Sequence, residues 1–184
     1  MNNIILAITG LPGSGKTEAT QYIMEKTGWP KVHFGETVTN EVKRRGQPLT
    51  EENERAVREE LRREHGMGAM AILNLPKIKE LFANSSVLLE SFYSWEEYLI
   101  CKKEFGDNFK VLAIYASPQT RQKRLETRPI RPLNAEQFES RDYAQIENTH
   151  QAGPIARADF TIINGKSLED LQQQLGPFIN TLLN

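Results

Sequence analysis

The run Gly10-Leu11-Pro12-Gly13-Ser14-Gly15-Lys16-Thr17 follows directly on the apolar stretch Ile4-Ile5-Leu6-Ala7-Ile8 and leads into a helical pattern over Glu18 to Lys26. Its spacing (Gly, four residues, Gly-Lys-Thr) confines this part of the chain to a strand, a tight loop and a helix. Small residues let backbone N–H groups turn inward around phosphate oxygens, and the helix that starts here aims its positive end at them. Lys16 is placed to reach the β- and γ-phosphates, and the Thr17 hydroxyl to ligate Mg²⁺. A Gly-rich turn with a surface lysine would share the letters but not the setting between strand and helix. The loop therefore predicts binding of a nucleoside triphosphate.

The rest of the chain is consistent with an α/β protein. Strand-like runs recur at Ile4–Ile8, Lys31–Phe34, Ser86–Glu90, Lys110–Ala116 and Asp159–Ile163, with helical patterns between them. This alternation predicts a parallel sheet covered on both faces. Helix starts are marked by Ser94 with Glu97, by Ser117-Pro118, by Asn134 with Gln137, and by Ser167. The last helix carries an apolar stripe of Leu168, Leu171, Leu175, Phe178, Ile179 and Leu182, which reads as core packing. Two segments do not look like sheet-covering helices: a charged excursion over 36–76 and an Arg-rich one over 127–153. They read as insertions in a single domain spanning 1–184, placed where a phosphotransferase closes over its substrates.

Composition excludes several classes. With 184 residues, a net charge of −1 and 39% hydrophobic content, nothing suggests bulk attraction to nucleic acid or membrane. No apolar run approaches the ~20 residues of a membrane span. The N-terminus lacks a basic region and a cleavage site, so a cytoplasmic protein is expected. The single cysteine, Cys101, allows no intrachain disulfide and reads as a buried thiol. His33, His65 and His150 show no metal-ligand spacing. Trp29, Trp95, Tyr93 and Tyr98 read as packing or pocket walls.

Among chemistry-bearing residues, Glu90 ends the third strand, where an acid can hold Mg²⁺ through water or orient an acceptor. Arg121, Arg124, Arg128, Arg131 and Arg141 crowd the second excursion, and planar guanidinium forks suit the charge of a transferring phosphoryl group. The spacing puts Arg121, Arg124 and Arg128 on one helix face. From Glu51 to His65, the pairs Glu51–Arg55, Glu54–Arg58 and Glu59–Arg63 predict a solvated ladder of ion pairs. Arg55, Arg58 and Arg62 are also candidates for gripping an anionic acceptor.

The phosphate loop, the two insertions and the Arg-rich return together resemble the nucleoside monophosphate kinase superfamily. The likeness is to its dephospho-CoA-kinase-like and adenylate-kinase-like branch. An uncharacterised, mainly archaeal group is especially similar, in Tyr93-Ser94-Trp95-Glu96-Glu97-Tyr98 and in Arg157-Ala158-Asp159 through Asn164. The resemblance implies a three-layer P-loop NTPase fold with a five-stranded parallel sheet, ATP and Mg²⁺ as cofactors, 36–76 as an acceptor-binding helical insertion, and 127–153 as a lid with its return helix. It implies Gly13, Ser14, Gly15, Lys16 and Thr17 around the ATP phosphates and Mg²⁺; Glu18 beside them joins the candidate nucleotide-binding set, and Glu90 at the end of the third strand is the candidate acid toward the metal. It further implies Arg124 near the adenine, Arg128 on the phosphates, Arg141 facing the transferring phosphoryl group, and Asn164-Gly165-Lys166 at the adenine edge.

The acceptor side departs from these relatives. Their Gly-Asp-x-x-Arg after the second strand is here Gly35-Glu36-Thr37-Val38-Thr39, so Glu36 keeps the acid and Thr39 replaces the arginine. The adenylate-kinase pattern Asp-Gly-Phe-Pro-Arg becomes Glu90-Ser91-Phe92-Tyr93-Ser94, losing another arginine. In the Asp-x-Asp of dephospho-CoA kinases, Phe34 holds the first position and Glu36 the second. A phosphate acceptor needs no base, whereas a hydroxyl does, and Glu36 and Glu90 are the candidates. The expected activity is transfer of the γ-phosphoryl group from ATP to a small nucleotide-like acceptor, with Lys16, Arg128, Arg141, Glu90 and Glu36 as catalytic residues. The rival is an ATP-binding regulatory module or slow ATPase. A GTPase is disfavoured by the absence of Asn-Lys-x-Asp and Asp-x-x-Gly motifs.

Overall fold

The computed structural model describes residues 3–183. The chain runs β1 (Ile5–Thr9), α1 (Lys16–Thr27), β2 (Lys31–His33), α2 (Gly35–Arg44), α3 (Glu51–His65), α4 (Ala69–Phe82), β3 (Val87–Glu90), α5 (Trp95–Phe105), β4 (Phe109–Tyr115), α6 (Pro118–Thr127), α7 (Ala135–Glu147), α8 (Ala152–Ala156), β5 (Phe160–Ile163) and α9 (Leu168–Leu183). All five predicted strands form, in one parallel sheet of order β2-β3-β1-β4-β5.

Because side chains alternate along a strand, each central strand feeds both faces. Ile5, Ala7, Val32, Val87, Leu89 and Val111 pack with Ala69 and Ile78 of α4 and with Tyr98 and Cys101 of α5. Leu6, Ile8, Leu88, Leu112 and Ile114 pack with Ala19 and Ile23 of α1 and with Leu171, Leu175 and Ile179 of α9. Cys101 is fully buried, and burial raises its thiol pKa.

The four predicted helix starts hold. Ser94 Oγ accepts from Glu97 N–H at 3.0 Å while Glu97 accepts from the Ser94 and Tyr93 N–H groups at 2.9 and 2.8 Å. Asn134 and Gln137 form a second reciprocal cap, and Ser117 and Ser167 accept from the first turns of α6 and α9. Burial lifts the Glu97 carboxyl from 4.5 to about 7, against the pull of the two backbone N–H groups and Arg62. The folded state therefore holds a proton that the unfolded chain releases between those values, so stability falls as pH rises from 4.5 to 7. Glu97→Gln should remove this slope, leaving the variant about 3 kcal/mol less pH-sensitive than the wild type between pH 4.5 and 8. Paired urea titrations would show it, and parallel curves would refute it.

Two expectations need correction. The first excursion is not wholly separate from the sheet, because α4 continues through Pro76 to Phe82 and lays Ala69, Met70, Ala71 and Ile78 in the core against β2 and β3. Pro76 lacks the N–H for the Ile72 carbonyl, but Ile72 is exposed and water can serve that oxygen. Nor does the ladder along α3 form: among the described residues none of its three Glu–Arg pairs reaches ion-pair distance. Instead Arg45 joins Glu41 at 2.7 Å and Glu60 at 2.8 Å, tying α2 to α3.

Candidate active site

The phosphate loop, 10–15, leaves β1 at the carboxyl edge of the sheet and feeds α1, as open α/β sheets require of a ligand site. Its shape depends on Gly13 and Gly15, held at φ 80 and 98. A Cβ on Gly13 would lie 2.9 Å from the Arg121 carbonyl, and one on Gly15 would overlap the Asn164 amide. That amide matters, because the buried Asn164 Nδ2 donates to the Ser14 carbonyl at 2.8 Å. Gly15→Ala should thus cost both loop geometry and brace, about 2–3 kcal/mol. A drop of more than tenfold in affinity for an ATP analogue is expected by calorimetry; unchanged affinity would mean the loop tolerates a side chain.

A cleft of about 480 Å³ opens on this loop, lined by Gly13, Gly15, Lys16, Thr17, Glu18, Arg124, Leu125, Arg128, Asn164, Lys166, Leu168 and Leu171. Every residue expected around the nucleotide is in this wall except Ser14, whose buried hydroxyl lies without a partner, and Gly165. Arg124 braces the wall, reaching the Gly13 carbonyl at 3.4 Å, Asn164 Oδ1 at 3.2 Å and the Lys166 carbonyl at 2.9 Å. Leu168 is half-exposed in the cleft, so the α9 stripe is core only from Leu171 onward. Lys16 Nζ donates to the Leu11 carbonyl at 3.2 Å. Burial first, then the charges of Arg141 and Arg121, lower its pKa from 10.5 to about 8. An ammonium held under such repulsion is relieved by phosphate oxygens.

A second cavity of about 830 Å³ lies beyond the ends of β2 and β3. Its walls include His33 at the end of β2 and Gly35 after it, Ser91 and Tyr93 after β3, Glu51, Glu54, Arg58 and Arg62 of α3, and Arg128, Arg131 and Arg141 of the Arg-rich excursion. Among the described residues none of its five arginines comes within ion-pair distance of a carboxylate. Arg62 Nε and Arg128 Nη2 are buried without partners. Arg128 borders both cavities. It does not continue the α6 face with Arg121 and Arg124, because Pro129 behind it excludes the helical conformation and sets it extended at φ −66, ψ 143. Burial and the charges of Arg141 and Arg131 lower its pKa.

The two candidate acids are placed differently. Glu90 ends β3, pairs with Lys31 at 2.6 Å, and its charge is felt at Lys16. Glu36 lies half-exposed beside Lys77 at 3.4 Å and lines neither cavity. Arg55 is exposed outside the walls, whereas Arg58 and Arg62 are in them. Arg121 is no part of a solvated face. Its side chain is 3% exposed, grips both oxygens of Asp142, and donates to the Ala116 and Pro12 carbonyls. It stands 5.3 Å from the Phe138 ring. His33 and Ser91 were not singled out by sequence, since the residues that meet are 58 positions apart.

Among the described residues no group of three or more His, Cys, Asp or Glu is placed to hold a metal ion. No helix among them is long and apolar enough to cross a membrane.

Comparison with known proteins agrees with this architecture. A family model described as an AAA domain matches residues 9–140. The UPF0200 protein of Thermococcus onnurineus is 32% identical over 184 residues, covering 98% of each chain. That of Methanocaldococcus jannaschii is 35% identical over 184 residues, covering 98% of this chain and 91% of its own. Among solved structures, a shikimate kinase from Bacteroides thetaiotaomicron superposes with a TM-score of 0.58 at 16% identity, over 96% of this chain and 98% of that one. A gluconokinase from Sinorhizobium meliloti does so at 0.56 and 14% identity, over 98% and 95%. These structures share the fold, that of a kinase-like P-loop domain. By the extent and identity of the sequence matches, the chain belongs to the AAA-domain family and to the UPF0200 family.

Proposed function

We propose that this protein is an ATP-dependent phosphotransferase that moves the γ-phosphoryl group to a nucleotide or nucleotide-like small molecule. The observation that carries this reading is the shared wall: Arg128 borders both the loop cleft and the arginine-lined cavity, and Arg141 of the second acts electrostatically on Lys16 of the first. A donor in one space and an acceptor in the other would meet at these cations. Lys16, Arg128 and Arg141 then stabilise the charge that spreads over the transferring group. The Thr17 hydroxyl, with Glu90 acting through water, would hold Mg²⁺, which would supply positive charge against the donor phosphates. Arg124, Asn164 and Lys166 shape the nucleoside end of the donor cleft. The segment 36–76 supplies the acceptor wall, and 127–153 is the lid that excludes water. Glu36, beside Lys77, has no evident part in the step.

Structural neighbours named shikimate kinase and gluconokinase support a small-molecule acceptor by fold likeness. The test is transfer from labelled ATP to a panel of nucleotides, nucleosides and phosphorylated alcohols. Turnover that depends on one acceptor is expected. Hydrolysis that ignores every acceptor would instead identify a slow ATPase or an ATP-binding regulatory module.

A further inference from the structure

The arginines around the second cavity outnumber what the transferring group needs. Arg128 and Arg141 face the phosphate loop, whereas Arg58 and Arg62 come from α3, four residues apart on one face of that helix. Arg62 Nε is buried without a partner, and burial lowers the pKa of its guanidinium. A part-buried cation left unpaired is costly, and a ligand anion would satisfy it.

The same cavity holds a second polar device at the ends of β2 and β3. His33 Nε2 lies 2.8 Å from Ser91 Oγ, and the Tyr93 hydroxyl donates to Ser91 Oγ at 3.3 Å. Ser91 sits at φ 61, a conformation that costs a non-glycine residue about 1–3 kcal/mol. The His33 ring rests against Gly35, where an added Cβ would come within 2.6 Å of Cε1. β3, which carries Ser91 at its end, lies between β2 and the strand that leads into the phosphate loop. Glu90 and Glu36 are paired with Lys31 and Lys77, and Glu51 and Glu54 belong to the start of α3. In the cavity wall at the ends of β2 and β3, His33 is the side chain whose ring nitrogen can take a proton, with Ser91 Oγ 2.8 Å from its Nε2.

Given the phosphotransferase reading, we infer that the acceptor is an alcohol carrying its own anionic group, with Arg58 and Arg62 holding the anion and His33 taking the hydroxyl proton. The hydroxyl oxygen bonds to the γ-phosphorus as the bond from that phosphorus to the bridging oxygen of ADP breaks. The proton passes to the His33 imidazole and then to water, leaving ADP and a phosphate monoester. A phosphate acceptor would need neither His33 nor its support, because its attacking oxygen carries no proton at neutral pH.

Two measurements on the full chain test this. In the first, the protein saturated with Mg²⁺ and a non-hydrolysable ATP analogue is titrated with inorganic phosphate by calorimetry. One further equivalent should bind, at least tenfold more weakly in the Arg58→Ala/Arg62→Ala double variant and unchanged in Arg55→Ala. No further equivalent, or equal binding by the double variant, overturns the anion subsite. The second measures transfer from labelled ATP to matched sets: glycerol, glycerate and glycerol 3-phosphate; ribose and ribose 5-phosphate; adenosine and AMP. Only anionic members should accept, giving monoesters, and glycerate against glycerol 3-phosphate shows whether the anion is carboxylate or phosphate. Arg62→Ala should raise KM more than tenfold with kcat little changed. His33→Gln, which keeps a hydrogen bond to Ser91, should lower kcat more than tenfold while still binding phosphate. Equal use of neutral members, an anhydride product, or full kcat in His33→Gln overturns the inference and leaves the phosphotransferase reading standing. Phosphate binding as expected with no transfer to any set defeats that reading and the role of His33, while the anion subsite stands.

Discussion

Replacing Lys16 with methionine is expected to lower phosphoryl transfer by about three orders of magnitude without lowering the thermal midpoint. Lys16 is the one ammonium in the wall of the loop cleft that also feels Arg141 across the boundary with the second cavity. Its charge is disfavoured in the free protein and favoured when phosphate oxygens arrive, so its interaction strengthens along the reaction. Methionine preserves the aliphatic stem and removes the charge that burial, Arg141 and Arg121 oppose. The free protein should therefore be no less stable. A pH signature accompanies this. Lys16 titrates near 8 in the folded protein and near 10.5 in the unfolded chain, so the unfolded state binds more protons between those values. Stability thus rises with pH across that window in the wild type, and the rise is absent in Lys16→Met. Labelled-ATP turnover and chemical denaturation at pH 7.5 and 10 read both effects. Undiminished turnover in the variant would sink the mechanism.

Arg121→Ala is expected to produce the largest loss of stability, about 3–5 kcal/mol. Truncation strands the carboxylate of Asp142, itself only 11% exposed, and leaves the Ala116 and Pro12 carbonyls without their donor. It also removes the cation from the face of Phe138. For a chain of this size each kcal/mol moves the thermal midpoint by roughly 2–4 °C, so a fall of about 6–20 °C should appear by calorimetry. Replacing both partners with leucine should recover part of the loss, because no lone charge then remains buried. A loss under about 1 kcal/mol in Arg121→Ala would mean that water reaches Asp142. Activity should fall with stability, since this pair joins α7, which carries Arg141, to the phosphate loop through Pro12.

The site was unevenly legible in the sequence. Gly13, Gly15, Lys16, Thr17 and Glu18 line the loop cleft because a loop between strand and helix has little freedom once its glycines are set, while Asn164 and Lys166, expected from resemblance alone, reach the same wall from the loop after β5. The acceptor side was not legible in this way. Glu36 stands one residue into α2, and a single helical step decides whether it points to the cavity or to Lys77. Arg55, Arg58 and Arg62 look alike in the chain, but their helix turns the first to solvent and the other two inward. Arg128 looked like the next step of a helical face until Pro129 is weighed as a helix-ending signal.

The sequence alone determined what depends on near neighbours. It set the five strands, the caps at Ser94, Ser117, Asn134 and Ser167, and the phosphate loop, because period, capping and turn geometry act over a few residues. Only the tertiary structure decided which charges are paired and which are left facing a cavity. The contacts of His33 with Ser91, Arg121 with Asp142, and Lys31 with Glu90 join residues far apart in the chain. Helix rotation and sheet order set them, and those follow from packing of the whole core.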